Sequence, residues 1–324
     1  MRAPATLTLA TLTLMVLLAG CGGDPAGPTL SAEPVPSSPL PETGPLTALD
    51  MIPASATAAT LTDFDAIRVR YGVPEMTSAD LMTDRNAFWE QVDEQSVLLT
   101  DGLFRADSST WELDYGFTED DVDWEVHFTG PEGNGYAVSF RPDLDLTGVR
   151  KAVSTRQLAG AMLVGSVLEK GTTFAASWAD DPAWGHLVLP DVESSYLRKG
   201  CESLVDALGD ASPDDPKSAL VREAAPNLQP LDAWSVSFSD GIVTALVGLG
   251  RSDVIARTDL GRDWPATGPI TFGDGFTQPL DDPVAGRIGY QVVDPLAAAS
   301  LTLGEELPFA VCNETIPVVE PSGA

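Results

Sequence analysis

The chain has 324 residues and sets 18 Lys+Arg against 48 Asp+Glu, a formal charge of −30 that argues against a nucleic-acid partner. With 44% hydrophobic and 20% charged residues, the composition is globular and supplies a sizeable core, which excludes wholesale disorder. Three cysteines and two histidines cannot build a zinc ribbon, a four-cysteine cluster or a multi-histidine cage, so no metal and no cofactor is expected.

Residues 1–20 open with Arg2 beside the amino terminus and continue as an uncharged run from Ala5 to Gly20, rich in Leu, Thr, Ala and Val. These are the n-region and h-region of an export signal. A permanent span needs about 20 apolar residues, and this run stops at Gly22, Gly23, Asp24 and Pro25, so a cleaved leader fits better. The stretch Leu18-Ala19-Gly20-Cys21 resembles the lipobox of bacterial lipoproteins. That resemblance implies diacylglycerol on Cys21 through a thioether and cleavage between Gly20 and Cys21, with N-acylation, such as by palmitate, as an addition. It implies a location at the cell membrane, lipid-anchored on the extracytoplasmic face. At about 0.8 kcal/mol per buried methylene, two or three chains hold a protein stably where one does not.

Residues 21–47 carry the anchor and then a spacer with Pro25, Pro28, Pro34, Pro36, Pro39, Pro41 and Pro45 and no apolar periodicity. In a polyproline-like form at ~3.1 Å per residue it would reach roughly 80 Å. Leader, stalk and acidic domain together look like the plan of actinobacterial lipoproteins. Anionic lipid repels so acidic a body, so its membrane contact is expected through the lipid on Cys21 alone. The acidity reads first as a solvated surface. The sharper reading is a basic partner or a divalent cation around Glu119, Asp120, Asp121 and Asp123. Asp143 to Gly148 also begins like a calcium loop, but its twelfth position is Ser154, and Asp145 reads instead as a helix cap.

Residues 48–316 read as one exported α+β body with mainly antiparallel sheet and short helices, followed by a tail at 317–324. Ala56 to Thr62 reads as a strand, and Asp63 then caps a helix with Phe64, Ile67 and Tyr71 on its apolar face. A second helix is expected over Asp84 to Glu94, with Phe88 and Val92 on one face. Val122 to Phe128 alternates apolar and polar side chains, as a half-buried strand does, and a turn at Gly130 to Gly135 leads to a return strand, Tyr136 to Phe140. A helix should follow over Asp145 to Ser154. The spacing W-x-V-x-F recurs at Trp234 to Phe238, again followed by a turn, a strand at Ile242 to Gly248 and a helix from Ser252. Further strands are expected at His186 to Leu189 and Ile288 to Val293, each followed by a helix and a cysteine. The nearly equal spacings Trp124–Cys201 and Trp234–Cys312 suggest two related halves, about 121–201 and 231–312.

With Cys21 committed to lipid, Cys201 and Cys312 remain as an even pair in an oxidising compartment and are expected to form a disulfide that clamps the two halves. Catalytic signatures are missing. There is no Gly-x-Ser-x-Gly elbow, and Gly248-Leu249-Gly250 is followed by Asp253 where a dinucleotide fingerprint needs glycine. His127 and His186 read as structural or solvated, and Trp178 and Trp184 as core ahead of groove. The expectation is therefore a non-catalytic, membrane-anchored envelope lipoprotein that binds a protein or small-molecule ligand, with no catalytic residue and no metal ligand assigned. The alternatives are an envelope hydrolase using paired carboxylates, favoured by a cleft holding two acids of raised pKa, and a calcium-dependent adhesion module.

Overall fold

The hairpin expected at Trp124 lies inside a ten-stranded antiparallel sheet. A computed structural model describes residues 44–172, 174–209, 211–212 and 214–315; the leader, Gly20, Cys21 and the tail from 316 lie outside them. The strands are β1 (Ala58–Asp63), β2 (Val122–Gly130), β3 (Gly133–Phe140), β4 (Met162–Val164), β5 (Val167–Lys170), β6 (Ser194–Lys199), β7 (Ala233–Ser239), β8 (Ile242–Leu246), β9 (Phe276–Asp282) and β10 (Arg287–Val292). Their order across the sheet is β4-β5-β3-β2-β1-β6-β7-β8-β10-β9. The helices are α1 (Gly44–Ala48), α2 (Phe64–Arg70), α3 (Met82–Gln95), α4 (Ser108–Tyr115), α5 (Thr147–Ser154), α6 (Leu204–Leu208), α7 (Pro216–Ala224), α8 (Val254–Arg262), α9 (Phe272–Gly275) and α10 (Pro295–Leu303). No described helix is long and apolar enough to cross a membrane.

Cross-strand partners share a face, so the register assigns the layers. Thr60 stands opposite His127 and Tyr196, and Tyr196 opposite Val236, which puts these side chains on one face. There α2 to α5 close one core around Phe64, Ile67, Phe88 and the rings of Phe104, Phe117 and Phe140. Alongside it α6 to α10 close another around Trp234, Phe238, Phe272, Tyr290 and Phe309. On the opposite face Leu61, Trp124, Val126 and Leu197 pack against Ile52, Trp178 and Trp184. The central strands are thus covered on both sides.

The sheet order reads the same from either end. One unit is β1 to β5, the other β6 to β10, and they meet at the antiparallel pair β1/β6. Trp124 and Trp234 occupy corresponding strands, β2 and β7, but the recurring unit starts one strand before each of them. The boundaries near 121–201 and 231–312 therefore give way. His186 to Leu189 is not a strand: Trp184–His186 is a single 3-10 turn, and β6 stands where a helix was expected after Asp191. The folded body also begins before residue 48, since α1 starts at Gly44 and Ala48 is wholly buried.

Cys201 and Cys312 are bonded to each other. Both belong to the second unit, one just after β6 and the other after α10, so the bond closes that unit on itself and does not clamp the two halves. Neighbouring backbone bonds, Glu202 N–H to Ala310 C=O and Cys312 N–H to Glu202 C=O, continue the same closure.

Candidate functional site

A cavity of about 560 Å³ opens where β1 gives way to α2, walled by Asp63, Asp65, Arg70, Asp123, Trp124 and Asp191. Asp63 ends the strand and caps the helix: its Oδ1 accepts the Ala66 N–H at 2.9 Å. Its Oδ2 sits beside Gly44, also on the cavity wall, where a Cβ on that glycine would come within 2.8 Å of it. That oxygen has no hydrogen-bond partner among the described residues. Burial pushes the Asp63 carboxyl up to about 7; the Ala66 N–H and Arg68 pull the other way, while the charges of Asp65 and Asp123 add to the rise. Asp123 is raised as well, by burial, with Arg68 opposing.

The floor is a buried guanidinium. Arg68 is 1% exposed; its Nη1 donates to the Val122 carbonyl at 2.8 Å, and its Nη2 to Asp65 Oδ1 at 3.3 Å and Asp123 Oδ1 at 3.2 Å. It holds two of the wall carboxylates in place. Arg70 turns away to Glu193, meeting both carboxylate oxygens at 2.8 and 2.6 Å, and Glu193 is completed by Ser96 Oγ at 2.7 Å and the Asp240 N–H at 2.6 Å. This pair ties α2 of the first unit to the start of the second.

Of the acidic run singled out in the sequence, only Asp123 reaches the cavity. Asp120 is buried and accepts from Arg85 Nε at 2.7 Å, Trp89 Nε1 at 2.8 Å and Thr118 Oγ1 at 2.8 Å. Asp121 takes the N–H groups of Ser78 and Thr118, and Glu119 takes that of Phe104 at 2.7 Å. The short 3-10 turn at Glu119–Asp121 faces inward because Thr118 and Asp121 cap it reciprocally. Among the described residues no three His, Cys, Asp or Glu side chains converge as a metal site. Asp145 caps α5, accepting the Thr147 N–H at 3.0 Å, and Asp143 meets Arg141.

His127 lines a second, smaller cleft of about 300 Å³ over the central strands, with Tyr196, Arg198 and Glu305. Glu305 is clamped by the Tyr196 hydroxyl at 2.6 Å and by Arg198. His127 Nε2 points inward, 3.5 Å from Oε1 of the fully buried Glu125, whose Oε2 accepts the Leu103 N–H at 3.0 Å. Burial, together with the Glu125 charge, pushes the Glu119 carboxyl well above the usual range. His186 is exposed on its 3-10 turn. Trp178 and Trp184 are buried and stacked face to face at 3.9 Å, which removes both from any ligand groove.

Sequence reasoning did not assemble the cavity, because Asp63, Asp65, Asp123 and Asp191 come from a strand end, a helix start, a neighbouring strand and a loop. The one local signal was Asp63-Phe64-Asp65 at the cap. Comparison with known proteins finds no matching family model, no matching curated protein and no matching solved structure.

Proposed function

We propose that the chain is a cell-envelope lipoprotein, held to the membrane by lipid on Cys21, whose folded body is a non-catalytic module binding a ligand or partner. The observation that supports it best is the cavity itself: a concave, rigidly framed volume of about 560 Å³ whose described lining holds no serine, cysteine, lysine or histidine. Pockets of this size with a few fixed polar groups are binding sites. The lipobox at Leu18 to Cys21 supplies the compartment. Metabolic labelling with a fatty-acid analogue tests the anchor: wild type takes up label and Cys21→Ser does not. Label on the variant, or native protein recovered from the cytosol with its leader intact, overturns it.

A second reading has its own support. Asp63 and Asp123 are two carboxyls raised by burial within one concavity, and a protonated acid beside ionised carboxylates is the arrangement of glycoside hydrolysis. In that reading Asp63 is the general acid. Release of reducing ends from envelope glycans by wild type, lost in Asp63→Asn, would favour it over the binding module.

A further inference from the structure

We infer that the Asp63 cavity recognises an organic cation, an ammonium or guanidinium group carried on an extended aliphatic stem. The inference rests on the reading of this cavity as a binding site and names the ligand class. Four carboxylates face it, from Asp63, Asp65, Asp123 and Asp191, and the cations at hand are engaged elsewhere or from below. Arg70 is taken by Glu193 and Asp240, and Arg68 lies beneath the floor with its Nη1 on backbone carbonyls.

An independent observation points to a missing partner. Asp63 is only 8% exposed, and while Oδ1 is satisfied by the helix cap, Oδ2 has no donor among the described residues and sits at the cavity wall beside Gly44. A buried carboxylate oxygen without a donor is costly, and an incoming N–H⁺ relieves that cost with a charge-assisted bond. Trp124 and the half-exposed Val69 add an apolar wall against which a methylene chain can lie.

The spread of the oxygens decides against a bare metal ion. Calcium takes six to eight oxygens at about 2.3–2.6 Å, whereas these carboxylates are distributed around about 560 Å³ and no three converge. Negative potential decides against an anion. An extended organic cation can meet Asp63 at one end and Asp65, Asp123 or Asp191 further along.

The same chemistry comes from a free polyamine or from the side chains of a basic peptide, and calorimetry on the full chain at physiological salt separates them. The probes are spermidine and trilysine, with calcium chloride as the comparison. One ligand per chain is expected, and Asp63→Asn should weaken it roughly tenfold or more, as loss of one charged hydrogen bond does. Asparagine is an equally good N-cap, so α2 stays in place. Glu94→Gln, an exposed acid of α3 outside the cavity, should leave affinity unchanged. Tight trilysine with weak spermidine assigns a partner's basic segment, and the reverse assigns a free polyamine. The inference is overturned if neither probe binds, if Glu94→Gln weakens binding as much as Asp63→Asn, or if calcium binds more tightly than either amine in an Asp63-dependent way. Those failures leave the anchor untouched, because fatty-acid labelling at Cys21 reads it separately, and glycan release reads the hydrolytic alternative.

Discussion

Asp63 closes a strand, caps a helix and faces a cavity, and these roles conflict. Its carboxyl lies near 7 because burial penalises the charged form, so the folded state binds a proton that the unfolded chain, at the ordinary value of 3.8, has already released. Stability is therefore lost as pH rises through that window and stays lost above it. Asp63→Asn removes the penalty while keeping the cap, and should stabilise the protein by on the order of 2–4 kcal/mol at about pH 8 with little change near pH 4. Urea unfolding at the two pH values checks it. A site variant that gains stability while losing ligand is the usual signature of a binding residue. The cap was legible in the sequence, as an aspartate directly before an apolar helix face. The burial of Glu125 was not, because alternation placed it on the polar face of β2, and only the segment carrying Leu103 and Phe104 covers that face.

At the level of elements, strands with large alternating side chains were readable and those with small ones were not. Trp124 to Phe128 and Trp234 to Phe238 announced β2 and β7. β6, at the centre of the sheet, reads Ser-Ser-Tyr-Leu-Arg-Lys and gave no apolar pattern. Its serines fill buried positions by hydrogen bonding: Ser194 Oγ donates to the Val97 carbonyl at 2.6 Å, and Ser195 and Ser237 pair across strands at 2.8 Å. A satisfied hydroxyl can occupy a central strand, and hydrophobic periodicity does not see it. Helix packing has a comparable hidden constraint. A Cβ on Gly148, in α5, would stand 1.7 Å from the Tyr115 carbonyl oxygen at the end of α4. Gly148→Ala must push the two helices apart and should cost about 2–3 kcal/mol, read as a lower urea midpoint with an unchanged slope.

Across the whole molecule, buried acids set the response to pH. Besides Asp63, burial pushes Glu119 and Glu202 well above their ordinary range of 4.5. All three bind protons more tightly folded than unfolded, so the melting temperature should be higher near pH 5 than near pH 8. In stronger acid the slope reverses. Against the upward push of burial, bonds from Arg251 and Gln229 and the charge of Arg257 hold Asp253 below its usual value, and that contribution disappears as the group is protonated. Scanning calorimetry across the range tests both limbs. The disulfide spans 111 residues, all in the second unit, and its reduction should cost about 4–5 kcal/mol in the chain-entropy view. Amide exchange after reduction should therefore accelerate in β6 to β10 more than in β1 to β5. The pairing of the cysteines was legible from their number and compartment. What they connect was not, because the unit boundary falls at β6.

The seam between β1 and β6 has a consequence for how the chain reaches its final form. Most pairings are made within one unit, and only β1/β6 joins the two ladders, so each half can assemble from contacts close along the chain before a late docking step zips them together. Severing the peptide near Pro190 would leave two fragments with complementary bare edges. Mixed in equal amounts, they should recombine into a native-like heterodimer, with Arg70 and Glu193 latching across the join. Either fragment alone would expose a naked strand and self-associate.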